Sequence, residues 1–220
     1  MGNAEESSAD RQNAGKRGAV RSQSEAKLDR LLEAAASLMA RQGYAQTSIR
    51  NVALETGFSL AGMYYYFENK EDLLFQIQHR AFSSLLQLQD RAMAEGGSAE
   101  AKLRRLVQNH LAYFTDHFNE LKVCTYELDS LKGERYSCIE QLRRQYFGYH
   151  TEVIKELLGL DETKPGAERL LRHYTLFVFG MQNWIFTWYN HERDAPAEQL
   201  GQEMMALLLN GLGGELPLCD

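Results

Sequence analysis

Between Thr47 and Leu74 the chain reads TSIRNVALETGFSLAGMYYYFENKEDLL, a pattern of two short helices joined by a tight turn and followed by the start of a longer third. Ile49, Val52 and Ala53 give an apolar face at i, i+3 and i+4, with Thr47 and Ser48 placed as N-caps. Gly57 stands where a helix ends and the chain must turn sharply. Ser59 can cap a second helix of less than two turns, whose residues from Leu60 to Tyr65 are small or aromatic. Glu68, Asn69, Lys70 and Glu71 then break the pattern and open the next helix. Two short helices around a glycine turn make a helix-turn-helix, and the second helix of that motif lies in the major groove of DNA. The chemistry on offer is noncovalent recognition of a nucleic acid.

Covalent chemistry finds less support. The chain contains no G-x-S-x-G, no H-E-x-x-H and no glycine-rich phosphate loop, so neither an enzyme nor a cofactor is indicated. His110 and His117 lie seven apart and could share a helix face with Asp116 beside one of them, but no further carboxylates stand in register for a metal site. Cys124, Cys138 and Cys219 are odd in number and unpaired in spacing, which argues against a disulfide framework or a zinc site and fits a reducing cytoplasm.

The elements that must position the motif follow from periodicity. The 220 residues suffice for two small domains or one of ordinary size, and 44% hydrophobic residues with only 3 prolines suit an all-α protein with a substantial core. The first helix is expected from about Ser24 to Gln42, with Leu28, Leu31, Leu32, Ala35, Leu38 and Met39 as its buried stripe and Gly43 as its stop. The helix that opens near Lys70 is expected to reach Ala94, apolar on more than one side, with Gly96 and Gly97 ending it. Further helices are expected over 98–117, 119–129, 133–159, 164–190 and 197–212, about nine in all. Ahead of them, residues 1–23 are rich in Ser, Gly, Ala and charge and read as a disordered arm; its Arg11, Lys16, Arg17 and Arg21 could follow a phosphate backbone, though a solvated tail is the simpler reading. The N-terminus lacks the apolar core of a signal peptide, and no apolar run approaches a membrane span.

A net charge of -6 looks wrong for a DNA binder until it is divided along the chain. Residues 1–80 hold 10 Lys+Arg and 10 Asp+Glu, while residues 81–220 hold 14 and 20. The acidic excess therefore lies outside the motif, and charge neither supports nor vetoes nucleic-acid binding.

The motif stretch resembles the DNA-binding domain of the tetracycline-repressor (TetR) family of bacterial transcriptional regulators. Thr47, Ile49, Val52, Ala53, Gly57, Ser59, Tyr64, Tyr66, Phe67, Lys70, Glu71 and Leu73 stand where that family's pattern expects them, and the string Y-Y-Y-F-x-x-K-E-x-L directly after the helix-turn-helix is the specific part. The resemblance implies a helix-turn-helix DNA-binding domain at 24–70 and a ligand-binding and dimerisation domain at 71–220. It also implies residue roles. Thr47 or Ser48 would meet a phosphate at the start of the first motif helix. Arg50 would reach a base edge or a phosphate. Ser59, Leu60, Ala61 and Gly62 open the recognition helix, Tyr64 would hold a phosphate, Tyr65 would face the groove, and Lys70 would add a phosphate contact. Leu60-Ala61-Gly62 departs from the family's usual polar residues there, which shifts readout toward Arg50, Tyr65, thymine methyl groups and DNA shape.

In the family a small effector enters the second domain and releases the operator, so the partners implied are a two-fold symmetric DNA operator, an effector and a second copy of the chain. Candidate effector contacts are His110, Tyr113, Phe114, Phe118, Tyr126, Glu127, Tyr146, Phe147, His150, Tyr174, Phe177, Met181 and Trp184, a largely aromatic set with a few polar anchors. The strings E-L-D-S-L and N-W-x-x-x-W-Y look somewhat like regulators of lipid catabolism that sense acyl-CoA thioesters, with Arg104, Arg105, Arg143 and Arg144 as a basic rim; an aromatic or multidrug-type molecule is the alternative. The long helix carrying Leu170, Leu171, Tyr174, Phe177, Val178, Met181, Trp184, Ile185 and Trp188, with the one carrying Leu200, Met204, Leu207, Leu208 and Leu209, would form a four-helix dimer interface. Two readings stay open beside a repressor: an activator, and an all-helical protein-interaction module.

Overall fold

The computed structural model describes the backbone of residues 6–211 and the side chains of residues 24–211. Among the described residues there are nine α-helices, two short 3-10 turns and no strand. The helices are α1 (Glu6–Gln42), α2 (Ile49–Thr56), α3 (Leu60–Tyr66), α4 (Lys70–Ala94), α5 (Ala99–Asp116), α6 (Phe118–Tyr126), α7 (Gly133–Leu158), α8 (Ala167–Asn183) and α9 (Ala197–Asn210). The chain divides into two compact units, residues 1–73 and 74–220.

In the first unit, α1 is helical back to Glu6, well ahead of the start expected near Ser24. The side chains of the basic arm, and Met1 to Glu5, lie outside the described residues. Gly43 ends α1 at φ 84°, a left-handed conformation that favours glycine, and its N–H returns to the Met39 carbonyl. A reciprocal cap starts α2: the Ser48 N–H donates to Asn51 Oδ1 at 2.9 Å, and the Asn51 N–H donates to Ser48 Oγ at 3.1 Å. Gly57 closes α2 at φ 70°. Ser59 caps α3 by accepting the Gly62 N–H at 3.0 Å. Met63 of α3 and Phe67 at its C-cap are buried; α3 packs on α2, whose Ile49, Val52 and Ala53 are buried, and α2 packs on α1, whose Leu31, Leu32, Ala35 and Met39 are buried. Each such anchor is worth about 1.5–3 kcal/mol of apolar burial, enough to hold a helix too short to be stable alone.

In the second unit, α5 packs on both α7 and α9, and α7 packs on α8. Where α5 packs on α9, Gly201 lies against the Gln108 carboxamide, the mobile end of a long side chain that a Cβ there would push aside. Leu74, Ile77, Ala81, Phe82, Leu85 and Leu86 of α4 are buried here, as its apolar breadth predicted. The helix expected over 164–190 is shorter; α8 ends at Asn183 and tightens into a 3-10 turn over Trp184–Thr187. Similarly, α6 stops at Tyr126 and is followed by a 3-10 turn over Leu128–Ser130. Tightening of this kind is common where an α-helix ends. Among the described residues no helix is long and apolar enough to cross a membrane.

Candidate nucleic-acid interface and effector cavity

The outer face of the helix-turn-helix presents Ser48, Arg50, Leu54, Ser59, Leu60, Ala61, Tyr64 and Tyr65 to solvent, Tyr65 being 81% exposed. This follows from the anchors. With Met63 and Phe67 turned inward, Leu60, Ala61, Tyr64 and Tyr65 fall on the opposite side of α3. The Ser48 cap leaves the first N–H groups of α2 at the surface, where an anion is favoured. Leu60 and Tyr64, with Arg50 and Lys70, border a concave surface of about 650 Å³ beside that terminus.

Two expected DNA contacts are engaged elsewhere. Thr47 is buried: its hydroxyl donates to the Gly43 carbonyl at 2.9 Å and accepts from Gln42 Nε2 at 3.3 Å, so it closes the α1–α2 turn and Ser48 takes the surface position. Lys70 Nζ donates to the carbonyls of Tyr44 and Ala45 at 3.0 and 3.2 Å and lies 4.2 Å from the centre of the Tyr44 ring. The ammonium ties the start of α4 to the turn after α1, which leaves it a bracing role. Tyr66 is half-buried and meets both Tyr65 and Phe67 edge or tilted.

A cavity of about 490 Å³ lies inside the second unit, walled by Phe82, Phe114, Leu121, Phe147, Leu176 and Phe179 with His110, Cys124, Thr125, Tyr146 and Asn183 as its polar or thiol members and Glu140, Arg143 and Arg144 also lining it. His110, Phe114, Tyr146 and Phe147 are the sequence candidates it brings together. His150 stands behind them, packed on Tyr146 and Phe179 without lining the space. Tyr126, Tyr174, Phe177 and Trp184 are exposed, and Glu127, Met181, Tyr113 and Phe118 are likewise outside the wall. Glu127 accepts from the Ser130 hydroxyl at 2.8 Å, Tyr113 donates to Glu120 at 2.9 Å, and Phe118 packs on Tyr189 and His191. Met181 and Trp184 border a different groove, between α8 and α9. Phe82, Leu121, Cys124, Thr125, Glu140, Leu176, Phe179 and Asn183 also line it without having been sequence candidates. Phe82 reads as ordinary core of α4, and Leu176, Phe179 and Asn183 lie on a face of α8 that no sequence pattern separates from its neighbours.

The expected basic rim is half present. Arg143 donates to the Cys124 carbonyl at 2.6 Å, and Arg144 pairs with Glu140 at 2.6 Å. Arg104 instead pairs with Glu100 along α5, and Arg105 is held by the Ala92 and Gly96 carbonyls. Burial dominates the titration inside. His110 is lowered to about 3, chiefly by burial and then by His150, and His150 is lowered to about 4 by burial, so both rings are neutral at pH 7. Burial, reinforced by the Glu120 charge, raises the Cys124 thiol well above its ordinary range. Cys124 is therefore expected to resist iodoacetamide at pH 8 while Cys138 reacts, a difference that peptide mass mapping after a timed pulse reads directly. Equal modification of the two in native protein contradicts this. His117 stacks on Tyr113 and its Nδ1 meets the Tyr113 carbonyl at 2.7 Å, so it caps α5 and shares no site with His110. Among the described residues no three His, Cys, Asp or Glu side chains converge as metal ligands.

Comparison with known proteins agrees with this architecture along most of its length. Residues 31–77 match the model for bacterial regulatory proteins of the tetR family, and residues 96–212 match that for the tetracyclin repressor-like C-terminal domain. The fatty acid metabolism regulator protein of Bacillus subtilis is 23% identical over 184 residues, 83% of this chain and 93% of that protein. The crystal structure of a TetR-family transcriptional regulator from Bordetella parapertussis superposes with a TM-score of 0.78 at 25% identity, covering 84% of this chain and 95% of that one. AibR, crystallised with isovaleryl coenzyme A and operator DNA, superposes with a TM-score of 0.68 at 23% identity, over 82% and 96% of the two chains. With a helix-turn-helix exposing its recognition face and both halves matched to their domain models, the chain belongs to the TetR family of bacterial transcriptional regulators.

Proposed function

We propose that the protein is a homodimeric repressor that binds a two-fold symmetric operator through Ser48, Arg50, Leu60, Ala61, Tyr64 and Tyr65 and is released by an apolar effector with an acidic or phosphorylated head. The observation that carries the DNA-binding half is the clamp on α3: Met63 and Phe67 are buried while Leu60, Ala61, Tyr64 and Tyr65 stand exposed on the far side. Only Arg50 and the hydroxyls of Ser48, Ser59, Tyr64 and Tyr65 supply hydrogen bonds from that face, so phosphate contacts and DNA shape carry much of the specificity.

The effector half draws on the cavity. Its aromatic walls and 490 Å³ suit the apolar body of a medium-sized molecule, and Arg143 and Arg144 suit an anionic head. Two relatives support an acyl-CoA: one is described as a regulator of fatty acid metabolism, and AibR was crystallised with isovaleryl coenzyme A. Release requires the effector to favour a conformation that DNA does not. The continuous helix α4, whose first turn belongs to one unit and whose remainder belongs to the other, is the element through which we expect that preference to act.

Binding of the purified protein to its own upstream intergenic DNA, measured across a salt series with and without long-chain acyl-CoA, tests both halves. Specific binding that weakens steeply with salt and is released by acyl-CoA is the expected result. Binding that acyl-CoA leaves untouched discards the acyl-CoA effector and keeps the regulator. No binding there, followed by failure of selection from genomic DNA, would sink the operator reading and favour an all-helical interaction module.

A further inference from the structure

One polar side chain in the cavity wall holds a proton with no partner. His110 is 1% exposed and lines the cavity, and its Nδ1 lies 2.9 Å from the Tyr146 hydroxyl oxygen. The direction of that bond follows from the groups behind it. Gln89 Nε2 donates both its protons, one to the Leu106 carbonyl and one to the Tyr146 oxygen, each at 3.3 Å. Asn109 in turn donates to Gln89 Oε1 at 3.1 Å, which fixes the orientation of that amide. Tyr146, already accepting from Gln89, has its own proton to give, and burial keeps that hydroxyl protonated. Nδ1 of His110 therefore accepts, and the proton of the neutral ring resides on Nε2, a tautomer assigned from the network. That Nε2 is buried and has no partner within hydrogen-bond geometry. The Gln182 backbone carbonyl partly offsets the effect of burial on the ring, but its contact falls outside hydrogen-bond geometry. A buried N–H left unpaired is costly, and the Phe114 ring packed on His110 offers it nothing.

We propose that the effector carries a neutral oxygen acceptor, a ketone, hydroxyl or ether, on its apolar body, and that the Nε2–H of His110 donates to it. The inference rests on reading the cavity as the effector site and adds a chemical requirement to that reading: oxygenated apolar molecules are selected over plain hydrocarbon chains of equal length. Because the ring is neutral at pH 7, the group it receives need not be charged; the anion belongs at Arg143 and Arg144.

Calorimetric titration of the full chain with decanoic acid, decanoyl-CoA, and the oxo and hydroxy forms of each, oxygenated near the head, at mid-chain and at the far end, tests it. At least one oxygenated form is expected to bind about tenfold tighter than its parent, the value of one well-made buried hydrogen bond. His110→Phe should abolish that preference, read as the ratio of oxygenated to parent affinity in the same variant, and His110→Gln, whose amide can still donate, should keep part of it. Equal affinity of parent and oxygenated forms for the unaltered protein overturns the proposal and leaves the effector cavity standing; this is the result expected if a bound water satisfies Nε2. A preference that survives in His110→Phe overturns it as well. If no member of the series binds, the cavity reading itself falls and takes the proposal with it. Should His110→Phe melt early, the parent-to-oxygenated ratio in the unaltered protein and in His110→Gln decides the matter.

Discussion

Arg80→Met is expected to cost about 3–5 kcal/mol of stability, the usual consequence of removing one partner from a buried ion pair. Arg80 on α4 pairs with Glu120 on α6, and the Glu120 side chain is only 3% exposed against 22% for the arginine. The second carboxylate oxygen accepts from the Tyr113 hydroxyl at 2.9 Å. Without the guanidinium that hydrogen bond remains, but the negative charge is stranded in a site that water does not reach. Methionine fills much of the arginine's volume, so the loss is electrostatic and does not come from a cavity. In a thermal melt the second unit should soften by roughly 10 °C, the scale expected for a domain of this size. The double variant Arg80→Met/Glu120→Gln should recover most of the loss, since the amide still accepts from Tyr113 and carries no charge. If the double variant is no more stable than Arg80→Met, the stranded charge is not the cause.

The same pair bears on regulation. Leu121, Cys124 and Thr125 of α6 line the cavity, and Glu120 lies one residue before them. Gln78 on α4 also donates to the Glu127 carbonyl at 3.2 Å. α4 is thus tied to the segment that walls the cavity by directional polar bonds, which permit only a few discrete arrangements, as well as by apolar contact. Under the proposed mechanism, Arg80→Met/Glu120→Gln should retain operator affinity and lose part of its response to effector.

How far the sequence revealed this molecule depended on whether a feature was local. The helix-turn-helix was legible because its caps and glycine turn are set within a few residues: Ser48 with Asn51, Ser59 with Gly62, and Gly57 at positive φ. The engagement of Thr47 and Lys70 was not legible, because Thr47 must find the end of α1 and Lys70 reaches back 25 and 26 residues to carbonyls. The effector contacts show the limit best. Along α8 and the turn after it, Leu171, Thr175, Val178, Gln182 and Ile185 are buried, while Leu176, Phe179 and Asn183 line the cavity. A third face, Leu170, Tyr174, Phe177 and Trp184, is exposed. All three repeat at helical spacing and all three are largely apolar, so periodicity identifies the helix without saying which face meets which neighbour. The aromatic effector candidates of this segment, Tyr174, Phe177 and Trp184, all lie on the third face.

That third face leads to the second large effect. Phe177→Glu is expected to convert a dimer into a monomer. Phe177 is 63% exposed and sits at the middle of a stripe that continues through Met181 and Trp184 to Trp188, beside a groove of about 490 Å³ between α8 and α9 floored by Leu200, Met204 and Leu207. A contiguous apolar surface of this kind is unusual on a monomer, and under the proposed function it is the surface the second copy covers. Since one helix pair carries it, a two-fold axis that brings the stripe onto its own copy covers it on both chains at once. A carboxylate at its centre would have to be desolvated twice in the dimer, facing its own like charge across the axis. Sedimentation equilibrium should therefore report a monomer for Phe177→Glu with little change in the melt of the isolated chain, because the residue makes no part of the internal core. Operator affinity should fall by about a hundredfold or more, since two linked reading heads lose the effective concentration that holds the second half-site. Phe177→Leu, which keeps the surface apolar, should remain dimeric and bind. A Phe177→Glu variant that stays dimeric places the interface elsewhere, and one that becomes monomeric yet binds the operator undiminished removes the need for two-fold readout.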